Sequence, residues 1–150
     1  MNNPKLTIAV DFDGTIVEHR YPEIGPVIPH SFEVLKELQE REHRLILWTF
    51  RDGIYLKEAV NFCLDNGIIF FAVNKSYPDE ELDKYMSRKI DADVFIDDRN
   101  VGGFLGWENI RKILIPDSEY FKPKKDTAQE ENIEQKKTKK CLFNIFRKNK

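Results

Sequence analysis

Two aspartates near the start of the chain have the types and spacing for metal-dependent chemistry. Asp11 and Asp13 follow an apolar segment, residues 6–10, and Gly14 comes directly after them. Because side chains two residues apart on an extended segment point the same way, both carboxylates are expected to converge on one point at the end of a buried strand. Paired carboxylates repel each other unless a cation such as Mg²⁺ lies between them. The alternative interpretation is an acidic turn, since Asp and Gly are common in turns.

Four apolar segments that alternate with amphipathic segments are expected to position these carboxylates. The predicted strands are residues 5–10, 44–49, 69–73 and 94–96. The predicted helices are residues 31–42, a segment from Asp52 and Gly53 to the Asn66-Gly67 stop, and residues 107–115. This alternation predicts an α/β fold in which a central parallel sheet lies between helices.

Apolar side chains at helical spacing predict the buried faces of the first two helices. They are Phe32, Val34, Leu35 and Leu38 in the first helix, and Leu56, Ala59, Val60, Cys63 and Leu64 in the second. The position of Cys63 on this stripe indicates a core residue rather than a nucleophile.

Three of the predicted strands end in polar residues that suit one site. Asp11 and Asp13 follow the first strand, Thr49 ends the second, and Asp97 and Asp98 follow the fourth. In parallel sheets, ligands bind outside the carboxyl ends of the strands, near a reversal of strand order. Carboxylate and hydroxyl oxygens favour Mg²⁺ with a phosphoryl group, and a carboxylate can itself be phosphorylated. The residues therefore point to phosphoryl transfer.

Four short motifs in this order resemble those of the haloacid dehalogenase (HAD) superfamily of aspartate-nucleophile phosphatases. The segment Asp11-Phe12-Asp13-Gly14-Thr15 resembles the first motif, and Thr49 at the end of an apolar strand resembles the second. Lys89, in Ser87-Arg88-Lys89-Ile90, resembles the third, and Ile96-Asp97-Asp98 the fourth. The resemblance extends over residues 5–115 and implies a Mg²⁺-dependent phosphatase with a Rossmann-like, three-layer α/β/α fold.

The resemblance also implies a role for each matched catalytic residue. Asp11 would attack phosphorus and form an aspartyl-phosphate. Asp13 would protonate the leaving oxygen and then deprotonate the hydrolytic water. Thr49 would hydrogen-bond a phosphoryl oxygen, and Lys89 would neutralise the charge beside Asp11. Lys75 competes with Lys89 for that role, and the alternative for Lys89 is a solvated surface lysine.

The implied Mg²⁺ ligands come from the first and fourth motifs. They are Asp11, the backbone carbonyl of Asp13, and Asp97, with Asp98 binding directly or through water. The alternative for Asp97 and Asp98 is a helix-capping turn, which the other motifs make less favoured. Arg51 and Arg99 are candidates to bind anions, and pairing at the surface accounts for them equally well.

The spacing between the motifs leaves no room for the folded cap domain that many HAD members insert. The chain thus resembles an uncapped, minimal member whose open site would admit a bulky substrate or be covered by a neighbouring subunit of a homo-oligomer. The Pro-rich segment 17–30 is expected to form an irregular loop or a small hairpin beside the acidic pair. Its residues His19, Arg20 and Tyr21 are candidates to contact a phosphorylated substrate, against the alternative of an ordinary polar loop.

Charge divides the chain into a predicted globular domain, residues 1–116, and a charged, flexible tail, residues 117–150. The first part has 14 basic and 20 acidic residues, whereas the tail has ten basic and six acidic ones. The tail ends in a basic and hydrophobic segment that would contact an acidic partner, nucleic acid or an anionic membrane surface, or have no partner. Two distant cysteines, Cys63 and Cys141, and the lack of an apolar run long enough to cross a bilayer predict a cytoplasmic protein.

Two further hypotheses use the same residues. In the first, the acidic pocket belongs to a phospho-acceptor signalling module, which also combines carboxylates, a Thr and a Lys in an α/β fold. In the second, the chain is a binding or scaffold protein that acts through its basic tail. A phosphatase is favoured because all four motifs occur in order.

Overall fold

A sheet of four parallel strands organises the part of the chain that the computed structural model describes, residues 4–81, 83, 85 and 87–121. The strands are β1 (Thr7–Val10), β2 (Arg44–Leu47), β3 (Ala72–Val73) and β4 (Val94–Ile96). Their order is β3-β2-β1-β4, and each neighbouring pair is parallel. The order reverses between β1 and β4, so the usual ligand position lies at the carboxyl ends of these two strands.

Three α-helices connect and follow the strands. They are α1 (Ser31–Glu40), α2 (Gly53–Asp65) and α3 (Trp107–Leu114), so all three predicted helices are confirmed with ends within two residues. The predicted stop of α2 is also confirmed, because Gly67 has a φ of 85° and the Ile68 N–H bonds back to the Cys63 carbonyl at 2.9 Å. The α/β, Rossmann-like fold with a parallel sheet expected from the sequence is the observed fold. The expected helix layer on each face is not observed in the described residues, because the buried apolar side chains of α1, α2 and α3 all join the cluster on one face and the described part of the segment between β3 and β4 has no helix to cover the other.

Three strands are shorter than predicted, because side chains rather than neighbouring strands bind their terminal N–H groups. The Leu6 N–H donates to His43 Nδ1 at 3.0 Å, and the Thr49 N–H donates to Asn74 Oδ1 at 2.8 Å. The N–H of Ile69 donates to the Gln39 side chain in α1 at 2.8 Å. Each of these groups lies outside the ladder of its strand, which shortens the sheet without changing its order.

The core lies mainly on one face of the sheet. Ile8 and Val10 of β1 face this side and join the buried side chains of all three helices, among them Cys63. Ala9 faces the other side, where Ile90 helps to cover the sheet. The buried residues of the larger cluster are Ile8, Val10, Phe12, Ile16, Val17, Phe32, Val34, Leu35, Leu38, Leu45, Leu47, Ala59, Cys63, Ile68, Ile96, Trp107, Ile110 and Ile115.

The predicted buried faces of α1 and α2 agree with this core, with one exception. Phe32, Val34, Leu35 and Leu38 of α1 are all buried, as are Ala59 and Cys63 of α2, whereas Leu56 and Val60 are partly buried. Leu64 is 53% exposed, so its place on the predicted stripe was wrong. The physical reason is that α2 buries the narrow line through Ala59 and Cys63, and Leu64 lies beside that line.

The segment between β1 and α1 folds back on itself as a small hairpin, one of the two forms expected for it. Val17 and Val27 form an antiparallel bridge, and the Glu18 N–H donates to the Pro26 carbonyl at 2.8 Å. The Ile28 N–H donates to the Ile16 carbonyl at 2.9 Å. We call residues 17–30 the Pro-rich loop, which leads from the acidic motif and borders the cavity described below.

The chain divides into two compact units, Met1–Pro116 and Asp117–Lys150. The second unit contains a short 3₁₀-helix, Glu119–Phe121, and the predictions for the rest of the tail, residues 122–150, lie outside the described residues. Among the described residues, no helix has the length and apolar character needed to cross a membrane.

Candidate active site

Three carboxylates meet at the switch point between β1 and β4. Asp11 follows β1, and its N–H donates to the Ile96 carbonyl at 2.9 Å, which holds it beside the end of β4. One carboxylate oxygen from each of Asp11, Asp97 and Asp98 lies within 4.8 Å of the others. The structure therefore brings together residues that are 86 positions apart, at the place where the strand ends predicted a site. We call these three residues the acidic cluster.

Asp98 is held against the turn of the first motif. Gly14 has a φ of 90°, and a Cβ atom at this position would overlap Asp98 Oδ2 and lie 2.8 Å from its Cγ. The other oxygen, Asp98 Oδ1, is buried and has no hydrogen-bond partner among the described residues. A buried carboxylate oxygen without a donor needs compensation, which a cation beside Asp11 and Asp97 would supply. The donor set of the acidic cluster therefore fits a divalent cation.

The environment of Asp11 favours its protonated form when no cation is present. Burial raises the pKa of the Asp11 carboxyl to about 7, against the effect of a hydrogen bond from the Phe12 backbone. The negative charge of Asp97 adds to the increase, the Thr15 hydroxyl opposes it from 3.2 Å, and Asp98 raises the pKa further. The desolvation of Asp11 and its two acidic neighbours thus act in the same direction.

Helix α3 fixes the turn that carries the first motif. Trp107 is buried, and its Nε1–H donates to the Thr15 carbonyl at 2.7 Å. The Ile16 N–H closes the turn by donating to the Phe12 carbonyl at 2.9 Å. These bonds hold Thr15 where its hydroxyl donates to Asp11 Oδ2. The sequence did not identify this contact. The position of Thr15 within the motif was the available signal.

Asp13 is directed to a different partner from Asp11. Its Oδ2 accepts a hydrogen bond from Arg51 Nε at 2.7 Å, and its Oδ1 accepts one from Arg51 Nη2 at 2.8 Å. The Asp13 carboxylate is not a member of the acidic cluster, so the expectation that both carboxylates of the motif converge on one point was wrong. The reason is that the turn after Asp11 ends the extended geometry on which that expectation depended.

Arg51 forms a buried ion pair rather than a pair at the surface. The residue is 1% exposed, and its guanidinium also donates to the Pro22 and Glu23 carbonyls at 2.8 Å. Its Cζ lies 4.9 Å from the centre of the Phe12 ring and 5.3 Å from that of Tyr21. An arginine two residues after Thr49 was the only signal in the sequence, and it did not identify the partner.

Thr49 lies at the edge of the same cavity, as predicted from its place after β2. Its backbone N–H donates to Asn74 Oδ1, and its hydroxyl oxygen accepts the Arg51 backbone N–H at 3.2 Å. Asn74 is fixed in turn by its own N–H, which donates to the Leu47 carbonyl at 2.8 Å. The Thr49 oxygen accepts this bond through a lone pair, so the hydroxyl can still donate its proton to a ligand.

A cavity of about 1040 Å³ opens above these groups. Asp11, Asp13, Thr49 and Asp97 line it, so four of the predicted site residues share one space. His19 and Tyr21 of the Pro-rich loop, two of the predicted substrate contacts, also line the cavity. Arg20 does not, and its side chain forms an exposed ion pair with Glu18 at 3.3 Å. Phe50, Arg88 and Arg99 also line the cavity, and Phe50 is 94% exposed.

The lysine expected from the third motif is not brought to the cavity. Lys89 is exposed, and its N–H donates to Ser87 Oγ at 3.1 Å in a turn that presents Arg88 to the cavity instead. Lys75 is partly buried and does not line the cavity. Among the described residues, the arginine and lysine side chains that line the cavity are therefore Arg51, Arg88 and Arg99.

One solved structure shares this fold with high sequence similarity. The conserved protein from Bacteroides thetaiotaomicron is 52% identical to this chain, and the match covers 78% of this chain and 95% of that one with a TM-score of 0.71. The chain belongs to the family of that conserved protein. No protein-family model matches the sequence, and no curated protein matches it. The family therefore supports the α/β fold, while the activity must be argued from the site, and membership of the HAD superfamily stays a prediction.

Proposed function

We propose that this protein is a Mg²⁺-dependent phosphohydrolase that cleaves a phosphate monoester through an aspartyl-phosphate on Asp11. The observation that carries the proposal is the convergence of Asp11, Asp97 and Asp98 at the switch point, where Asp11 and Asp97 line the same cavity as Asp13 and Thr49. Catalysis of phosphoryl transfer consists largely of positioning and charge neutralisation. A carboxylate nucleophile, a second carboxylate and a cation site in one cavity supply the main components.

The acidic cluster would hold the cation. Asp11, Asp97 and Asp98 provide three carboxylates, and a cation would give a partner to the Asp98 oxygen that has none among the described residues. A bound Mg²⁺ would neutralise charge on the phosphoryl group and on Asp11. The proposed contribution of the Asp13 backbone carbonyl stays a prediction, as does the choice between Asp97 and Asp98 as the more direct ligand.

The protein groups would act in two steps. In the first, an Asp11 oxygen forms a bond to phosphorus, the bond from phosphorus to the leaving oxygen breaks, and Asp13 gives that oxygen a proton. In the second, a water oxygen attacks phosphorus, the bond to Asp11 breaks, and Asp13 takes the proton of the water. The products are an alcohol and inorganic phosphate, and both aspartates return to their starting states.

Thr49 and one or more cations would bind the phosphoryl oxygens. The Thr49 hydroxyl has a proton to donate, and Arg88 and Arg99 line the cavity. The assignment of this charge to Lys89, or to its competitor Lys75, stays a prediction. Comparing Lys89→Ala with Arg88→Ala separates the candidates, since the cation that contacts the phosphoryl group should give the larger loss in kcat.

Phosphate release from purified protein tests the proposal. Wild type and Asp11→Asn are compared on p-nitrophenyl phosphate, a sugar phosphate, a nucleoside monophosphate and a phosphopeptide, each with EDTA or with Mg²⁺. We expect release only by the wild type and only with Mg²⁺, with a loss in the variant of at least about 10³-fold. Asp65→Asn is the matched control, because it makes the same change at an exposed carboxylate that does not line the cavity. Full activity of Asp11→Asn would exclude the aspartyl-phosphate route.

The acidic cluster also suits a second candidate, a phospho-acceptor module. Asp11, Asp97 and Asp98 would serve either function, and the two differ in whether the aspartyl-phosphate on Asp11 is hydrolysed. Incubation with acetyl phosphate and Mg²⁺, followed by mass spectrometry over time, separates the two. A phosphorylated form that lasts for hours indicates an acceptor module, whereas rapid turnover with little phosphorylated protein indicates a phosphatase. The cytoplasmic location, a homo-oligomer and a partner for the tail stay predictions.

A further inference from the structure

Arg51 has almost no freedom in its position. Its side chain is fully buried, and four of its five guanidinium N–H groups are used in hydrogen bonds to Asp13, Pro22 and Glu23. All four bonds are 2.7–2.8 Å long. The planar guanidinium matches a carboxylate with two parallel bonds, so it fixes the plane of the Asp13 carboxyl as well as its distance.

The same guanidinium joins three parts of the site. The Arg51 backbone follows β2, and its N–H donates to the Thr49 hydroxyl. The Arg51 side chain binds Asp13 of the first motif and the Pro22 carbonyl of the Pro-rich loop. It also lies over the rings of Phe12 and Tyr21. Any displacement of Arg51 therefore changes the orientation of Asp13 relative to the cavity.

The stability of the fold does not by itself account for this ion pair. A buried ion pair contributes little net stability compared with apolar residues of the same volume, because both charges lose their hydration. This pair nevertheless occupies the edge of the cavity, where Asp13 is 10% exposed at its side chain and faces the substrate space. Each Asp13 oxygen keeps a second lone-pair direction that Arg51 does not occupy.

We infer that Arg51 is a positioning residue that orients the Asp13 carboxyl group for proton transfer to the leaving oxygen. The inference rests on the proposed phosphohydrolase function and assigns a residue to it. Arg51 binds both Asp13 oxygens and fixes the plane of the carboxyl group, which leaves the second lone-pair direction of each oxygen as the place for the transferred proton. Proton transfer depends strongly on this alignment, and a positioned acid contributes about 10²–10⁴-fold to the rate.

A leaving-group comparison tests this role. An alkyl phosphate such as glycerol phosphate leaves as a strong base and needs a proton from Asp13, whereas p-nitrophenyl phosphate leaves as a weak base and does not. We expect Arg51→Lys and Arg51→Gln to lower kcat/KM for the alkyl phosphate by about 10–100-fold, and for p-nitrophenyl phosphate by less than about threefold. Asp13→Asn should show the same selectivity, and Arg51→Lys with Asp13→Asn should lose no more than Asp13→Asn alone.

The controls separate the possible failures. Arg44→Lys changes another arginine that lies over an aromatic ring, Phe71, and should leave both substrates unaffected. Thermal melts identify any variant that is not folded, and the two substitutions of Arg51 differ in charge so that one folded variant is enough. Equal losses on both substrates, or no loss on either, would overturn the positioning role while the wild type remained active. An inactive wild type would instead overturn the proposed function.

Discussion

Replacing Asp11 by Asn should make the metal-free protein more stable at neutral pH, although it removes the proposed nucleophile. In the folded chain, burial and the neighbouring Asp97 and Asp98 make ionisation of Asp11 unfavourable. Asn has nearly the same shape as the protonated carboxyl group and carries no charge. The variant should therefore match the wild type in acid and exceed it above pH 3.8, where Asp11 of the unfolded wild type is ionised.

The size of the effect follows from the pKa of Asp11 in the two states. That pKa is 3.8 in the unfolded reference and about 7 in the folded chain. As the pH rises between these values, the unfolded chain releases a proton that the folded chain retains, so the free energy of unfolding falls by about 1.4 kcal/mol per pH unit. The loss is complete above pH 7 and amounts to at most about 4 kcal/mol.

Urea unfolding in EDTA at several pH values between about 4 and 8 measures this effect. The difference in unfolding free energy between Asp11→Asn and wild type should be near zero at pH 4 and grow to several kcal/mol at pH 8. Carboxylates distant from Asp11 titrate in both proteins, so their contributions cancel, and Asp65→Asn, an exposed change outside the cavity, should show a flat difference. Adding Mg²⁺ at pH 8 should stabilise the wild type more than the variant. A difference that does not change with pH would refute the reasoning about Asp11.

Three other predictions concern single side chains. Gly14→Ala should lower the free energy of unfolding by about 1–3 kcal/mol and reduce the Mg²⁺-dependent rise in Tm, because the new Cβ meets Asp98 at a positive φ; an unchanged Mg²⁺ response would count against the acidic cluster as the cation site. Trp107→Phe should cost about 2–4 kcal/mol in urea unfolding, because it leaves the Thr15 carbonyl without its donor and opens a void. Burial raises the pKa of the Cys63 thiol to about 12. In a Cys141→Ser variant, Ellman's reagent should therefore react at pH 8 only after unfolding. Rapid labelling of the folded protein would contradict a core position for Cys63.

The elements and the location of the site could be predicted because they depend on local pattern. The alternation of apolar and amphipathic segments gave the four strands and three helices in order. Asp11, Thr49 and Asp97 follow three parallel strands, and this was sufficient to expect them at one edge of the sheet. The strand ends were less accurate. The side chains of His43, Gln39 and Asn74 compete for backbone N–H groups, and such partners are distant in the sequence.

The partners of the charged groups could not be predicted from the sequence. The two-residue spacing suggested that Asp11 and Asp13 act on one point, but the turn that begins after Asp11 ends the extended geometry. Asp13 instead pairs with Arg51, which lies 38 positions further along the chain. The third-motif lysine shows the same limit, since the fold of its turn presents Arg88 and leaves Lys89 in solvent.

The sequence alone therefore determined the class of fold and the strand ends at which polar chemistry is concentrated, because hydrophobic periodicity and strand direction are properties of neighbouring residues. Only the tertiary structure decided which carboxylates share a cation site and which one pairs with a buried guanidinium. Those choices depend on distances of a few ångströms between segments that meet only after the chain has folded, and burial then sets the pKa of Asp11.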